Sequence, residues 1–177
     1  MEQVKRDHYE KEISVEEYLA SGCVDVPKFA EFCKACPNYE NNWGCGPYDF
    51  DPMDIWRSYK TLRVILYRFY PEKDMTMEGA FEMLQKVKRE LMEYTQKLEA
   101  EIPGSTSLWA GTCDLCKTCA RKSGEPCRNP KTLRYSIEAL GGDVGKTIKD
   151  LFDIEIKWGT GTMLPEYYVL CGGLLMK

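Results

Sequence analysis

Histidine is almost missing from this chain: His8 is the only one in 177 residues. Metal sites built on two or more histidines are excluded by that count, and so are conventional C2H2 fingers. A Ser/His/Asp triad would have to recruit His8 from a charged N-terminal segment, which reads as plain surface. No apolar run approaches the roughly 18 residues of a membrane span. The start, MEQVKRDHYEKEISVEE, has no apolar stretch like that of a signal peptide. A basic excess is missing too: 24 Lys plus Arg stand against 28 Asp plus Glu, a net charge of −4. That balance speaks against a general nucleic-acid binder. The expectation is a soluble, cytoplasmic protein that engages neither nucleic acid nor membrane.

A complete nucleotide loop is also lacking. Gly142-Asp-Val-Gly145-Lys146-Thr147 resembles a P-loop, but Leu140 stands where the first glycine is required. A helix stop followed by an Asp143 N-cap explains the segment better. Gly159-Thr-Gly-Thr162 likewise reads as a turn.

What the chain has is cysteine: nine residues, about 5%, below the 8–10% of a small secreted disulfide scaffold. The count is odd, and the expected compartment keeps thiols reduced. Metal binding or redox chemistry is then the reason to cluster thiols. The sharper group is Cys113-Asp-Leu-Cys116-Lys-Thr-Cys119, with Cys127 seven residues on. C-x2-C-x2-C with a more distant fourth thiolate is the pattern that wraps a cubane iron–sulfur cluster. Zinc is the alternative for an all-thiolate set. Between Cys113 and Arg134 six basic residues (Lys117, Arg121, Lys122, Arg128, Lys131, Arg134) face two acidic ones (Asp114, Glu125), and cations stabilise an anionic cluster.

The other group is Cys33-Lys-Ala-Cys36 with Cys45 downstream and Cys23 upstream as the candidate fourth ligand. Gly44 and Gly46 flank Cys45 and allow backbone N–H groups close to a cofactor sulfur. Tyr39, Trp43 and Tyr48 are candidates to wall this site from solvent. Cys171, inside YYVLCGG, reads as a buried structural cysteine.

The apolar pattern predicts strands at Tyr9–Val15, Leu62–Tyr70, Ser107–Ala110, Ile154–Trp158 and Tyr167–Leu170. Ser14 and Glu17 form a capping-box signature ahead of a short helix, and Pro52 opens another at Asp51–Tyr59. Phe29, Ala30, Phe32 and Cys33 fit one or two helical turns. Thr76–Glu101 is a long amphipathic helix whose apolar residues include Met77, Phe81, Leu84, Val87, Leu91, Tyr94 and Leu98. Leu133–Leu140 reads as helix, and Asp143 caps a last one through Phe152. The order predicts one metal-binding domain over 1–177, an α/β or α+β sandwich. Its central mixed sheet carries one long helix and two cysteine-rich metal-binding loops, 23–48 and 113–130.

The pattern C-x2-C…W-x-C-x-P-Y followed by C-x2-C-x2-C…P-C-R-x-P…S-x-E-A-x-G resembles a family of small prokaryotic proteins of unknown function, known as predicted metal-binding proteins. The residues that carry it are Cys33, Cys36, Trp43, Cys45, Pro47 and Tyr48, then Cys113, Cys116, Cys119, Pro126, Cys127, Arg128, Pro130, Ser136, Glu138, Ala139 and Gly141. The likeness runs from about Cys33 to Val144. It implies metal binding through seven cysteines and leaves the reaction open. Gly46 departs from the proline more usual there, and Cys23 stands outside the pattern.

The expectation is therefore two clusters of the [4Fe-4S] type, transferring electrons to or from a redox partner protein. A cluster-dependent enzyme or activation factor with an open iron site is the alternative, and a structural zinc protein the third. Homo-oligomerisation is left open.

Overall fold

Thr61–Phe69, strand β2, carries apolar residues on both faces, Thr61, Arg63 and Arg68 aside, because both faces are covered. In the computed structural model, which describes residues 4–177, Leu62, Val64 and Leu66 enter one core. The alternate residues Ile65, Tyr67 and Phe69 enter another. The earliest part of the charged N-terminal stretch, residues 1–3, lies outside the described residues. β1 (Arg6–Ser14) runs antiparallel to β2, from Arg6 opposite Phe69 to Ser14 opposite Thr61. β4 (Tyr168–Met176) flanks the other side of β2, and the short β3 (Thr106–Leu108) pairs with β4. The sheet order is β1-β2-β4-β3. Every pairing is antiparallel, so the fold is α+β and the sheet is not of mixed direction.

The connections carry the helices. The Ser14–Glu17 capping box forms as expected and starts α1 (Val15–Ala20). Asp25 caps α2 (Val26–Lys34), and Asp51, with Pro52 at the first position, starts α3 (Pro52–Arg57). Thr76 Oγ1 accepts from the Gly79 N–H to open α4 (Met77–Glu101), and the Asp143 carboxylate accepts from Lys146 N to open α5 (Val144–Phe152). That last bond is the N-cap expected in place of a P-loop.

α4 covers the Ile65–Phe69 face through Ala80, Met83, Val87 and Leu91, spaced three and four apart. Leu84, Tyr94 and Leu98 pack along its flank. Met77 and Phe81, expected in the stripe, are 56% and 63% exposed, because they lie off the line drawn by Ala80 and Met83. The opposite face packs on Val15 and Tyr18 of α1, Trp56 of α3 and Ile148 of α5. Each fully buried aliphatic side chain there contributes about 1.5–3 kcal/mol. No helix among the described residues is long and apolar enough to cross a membrane.

Two predicted elements are absent. Ile154–Trp158 is not a strand: Ile154 and Ile156 pack against the core, but both edges of β4 are already taken by β2 and β3. Leu133–Leu140 is helical only as a 3-10 turn at Glu138–Leu140. Upstream of it the chain is extended, since Tyr135 O accepts from Trp109 N at 2.9 Å and Arg134 is drawn to Glu99. Tertiary contacts override helix propensity there.

Candidate metal centre

Both cysteine groups lie outside the sheet, in irregular segments except for Cys33 at the end of α2. Cys113, Cys116, Cys119 and Cys127 line one narrow cavity of about 320 Å³, its mouth included, walled also by Trp43, Leu115 and Leu133. The loop is turned by a 3-10 segment, Ala120–Ser123. Gly124 ends it at φ 71°, a left-handed conformation glycine adopts without penalty, and the chain then returns to Cys127.

Three of the four sulfurs receive N–H groups. Trp43 N donates to Cys119 Sγ at 3.4 Å, Asn129 N to Cys127 Sγ at 3.4 Å, and Asn129 Nδ2 to Cys116 Sγ at 3.2 Å. The Leu115 backbone N–H acts on Cys113, whose thiol is pushed up chiefly by burial. Amide donors turned on sulfur stabilise thiolates, so the residues present fit a thiolate-bound metal. Among the described residues, however, no three His, Cys, Asp or Glu side chains gather closely enough for one bound ion.

Cys33 sits in the last turn of α2, and Cys36 and Cys45 follow in the loop. Their charges act on one another: Cys36 on Cys33, and both on Cys45. Burial pushes the Cys45 thiol up to about 11, against a hydrogen bond from Thr112 that lowers it. A metal must therefore displace protons from these thiols. Beside Cys33 opens a second cavity, of about 590 Å³ with its mouth, lined by Tyr39, Gly46, Tyr48 and Glu138. Tyr39 and Tyr48 thus wall the first group as expected, whereas Trp43 walls the second.

The structure does not bring Cys23 to this group. Cys23 is buried in the core with Tyr18 and Trp56, and its thiol faces Asp150 Oδ2 of α5 at 3.9 Å. Cys171 is buried in β4 as expected. His8 is bonded to Glu10 at 2.8 Å and edged by Tyr67 and Tyr94 on the sheet, so it takes no part in either cysteine group.

The two cysteine loops interlock. A Cβ on Gly44 would stand 2.9 Å from Cys113 Cβ, so this glycine lets its loop approach the other cysteine group. Gly46 has looser surroundings, with the Tyr39 ring 3.4 Å from where a Cβ would stand. Asn42 donates to Cys113 O at 2.8 Å and accepts from Gly44 N at 2.8 Å. Arg121 of the second loop donates to the carbonyls of Asn42, Cys45, Gly46 and Pro47 and stacks 4.8 Å above Trp43. Asn38 Nδ2 donates to Thr112 Oγ1 at 3.2 Å.

A family model described as a predicted metal-binding protein matches residues 19–176. The chain belongs to that family, DUF2284. No curated protein and no solved structure matches it. The DUF2284 match spans both cysteine groups and strands β2, β3 and β4, and begins after β1.

Several polar residues around the DUF2284 cysteines were not foreseen as site residues. Asn42, Thr112 and Asn129 carry no sequence signal beyond lying one to three positions from a cysteine. Arg121 carries only the signal of the basic stretch around it. Glu138 belongs to the S-x-E-A-x-G string but was given no role. It lines the Cys33 cavity and also a larger one, about 1290 Å³ with its mouth, that contains Lys88 and Cys171.

Proposed function

We propose that this DUF2284 protein is a cytoplasmic iron–sulfur protein that holds two centres and passes single electrons to or from a partner protein. The observation that carries the reading is the second group: four thiols border one cavity and amide N–H groups are turned on three of them. A single tetrahedral zinc draws four sulfurs to about 2.3 Å from one point. A cubane core holds its cysteines around a block of iron and sulfide. The C-x2-C-x2-C spacing with a more distant fourth thiolate, all four on one short loop around one cavity, supports the larger core.

When bound, such a core supplies one-electron redox chemistry. The chain supplies the rest. Cys113, Cys116, Cys119 and Cys127 hold it, Asn129 and Trp43 N–H groups offset its negative charge, and Leu115, Ala120 and Leu133 exclude water. Lys117, Lys122 and Lys131 stand exposed on the loop and its exit, a rim that would steer an acidic partner surface toward this centre.

Anaerobically purified protein should be brown and carry about four irons and four sulfides per occupied centre. Colourless protein holding zinc alone would sink the proposal.

A second reading is favoured by the position of Cys23. With that thiol in the core, Cys33, Cys36 and Cys45 form a three-thiolate set beside an accessible cavity. Such a centre would leave one iron without cysteine, the arrangement of a cluster-dependent enzyme or activation factor. Unchanged spectra in Cys23→Ser would support it, and loss of the first centre would refute it.

A further inference from the structure

Glu138 opens the 3-10 turn Glu138–Leu140 and stands between the Cys33 cavity and the one that contains Cys171. It lines the same cavity as Cys33, and its charge acts on that thiol. Its Oε2 has neither solvent contact nor a hydrogen-bond partner. Burying a carboxylate oxygen without a partner is costly, and packing alone does not require it. Burial pushes the Glu138 carboxyl up, the residue's own backbone N–H and the Ser136 hydroxyl act on the carboxyl in the other direction, and Oε2 itself is left without a partner. Lys88 acts on Glu138 only through its field, since its ammonium is bonded to Asp114 Oδ2 at 2.9 Å and to Thr112 O at 2.5 Å.

The backbone around Glu138 is shaped to hold it against α2. Ser136 Oγ accepts from Ala139 N at 3.1 Å and tightens the turn. Gly141 closes the turn at φ 81°, and a Cβ there would stand 2.6 Å from Val26 Cα. Asp25 N donates to Gly141 O at 2.8 Å. These contacts press the turn onto the start of the helix whose last turn bears Cys33.

We propose that Glu138 is the fourth protein ligand of the first metal centre, a carboxylate that completes Cys33, Cys36 and Cys45 in the place sequence spacing gave to Cys23. The inference rests on the reading of those three cysteines as a metal centre. Carboxylate oxygen is an ordinary ligand for iron as well as for zinc, so its chemistry suits the proposed centre. It also explains the orphaned oxygen, whose partner is then the metal.

The test compares wild type with Glu138→Gln, Glu138→Cys, Cys23→Ser and Cys36→Ser, each reconstituted anaerobically with iron and sulfide and, separately, with zinc alone. Metal per chain is the readout, with the second group as internal control. Glu138→Gln should lower metal per chain by about half, the share of one centre in two. Glu138→Cys should restore it, and Cys23→Ser should keep the full complement. Without metal, Glu138→Gln should resist urea at least as well as wild type, since it removes a buried charge. With metal it should resist less, a reversal that a packing role would not produce. Full metal in Glu138→Gln together with loss in Cys36→Ser overturns the Glu138 assignment and leaves the first centre standing. Full metal in Cys36→Ser overturns the first centre itself, and Glu138 with it.

Discussion

Replacing Arg121 by alanine removes the clamp that one cysteine loop places on the other. The guanidinium donates to Cys45 O at 2.5 Å and Pro47 O at 2.7 Å, with longer bonds to Asn42 O at 3.1 Å and Gly46 O at 3.3 Å. A hydrogen bond to a charged group contributes about 1.5–3 kcal/mol. Counting the two short bonds at the lower figure gives about 3 kcal/mol, and stacking on Trp43 adds about 0.5 kcal/mol. Water can reach part of this surface and rehydrate the freed carbonyls, so the expected loss is about 2–3 kcal/mol. Arg121→Lys separates geometry from charge. An ammonium cannot span four carbonyls in a planar fork, so lysine should recover less than half of the loss. Urea denaturation of the metal-loaded protein measures both variants, and metal analysis follows the first centre, whose Cys45 carbonyl is one of the clamped groups. A lysine variant as stable as wild type, or an alanine variant within about 0.5 kcal/mol of it, would refute the clamp.

Glu99 gives a pH-dependent prediction. Burial opposes its ionisation, but bonds from Arg134 and from the Ser107 hydroxyl and N–H outweigh burial and hold its carboxyl below the usual glutamate range. A carboxyl lowered in the folded state stabilises fully above its unfolded pKa, and that stability is lost as pH falls through the folded value. Urea midpoints taken at neutral pH and at about pH 3 should therefore converge more in Glu99→Gln than in wild type, and an unchanged pH dependence would contradict the assignment. Cys171→Ala should cost about 1 kcal/mol for a small buried void and leave metal per chain unchanged. Lost metal would mean that this thiol is not merely structural.

The regular elements were legible where local signals and tertiary demand agreed. The Ser14–Glu17 box, Pro52, Thr76 and Asp143 all start helices where the sequence places them. They agree because a cap is satisfied within three residues and needs nothing from elsewhere. The failures share the opposite cause. Ile154 and Ile156 alternate like a strand, yet whether an edge is free for them depends on β2 and β3. Leu133–Leu140 has helical spacing, yet Glu99 and Trp109 hold its first half extended. Cysteine spacing points to the second group as a unit because its four thiols lie on one short loop, and the fold keeps them on one cavity. Spacing was a poor guide to Cys23, because α2 begins between it and Cys33 and carries the two thiols apart. Glu138 lies about a hundred residues from Cys33 in sequence, and only folding brings them to one cavity.

The interlocking of the loops bears on how the two centres are built. Neither loop has a strand or long helix to fix it, so cross-loop bonds shape each, and in the proposed two-centre protein bound metal would add to them. Those bonds are reciprocal. Trp43 of the first loop donates to Cys119 of the second, and Arg121 of the second holds the Cys45 carbonyl of the first. Gly44 leaves no room for the loops to slide, with Cys113 Cβ 2.9 Å from where its own Cβ would stand. Ordering one loop around its metal therefore positions donors and carbonyls for the other, and the entropy of ordering the second loop is partly met by the first. In the proposed two-centre protein, loading of one centre would be coupled to the other through side chains that ligate neither metal, with Arg121 carrying most of the cross-loop bonds.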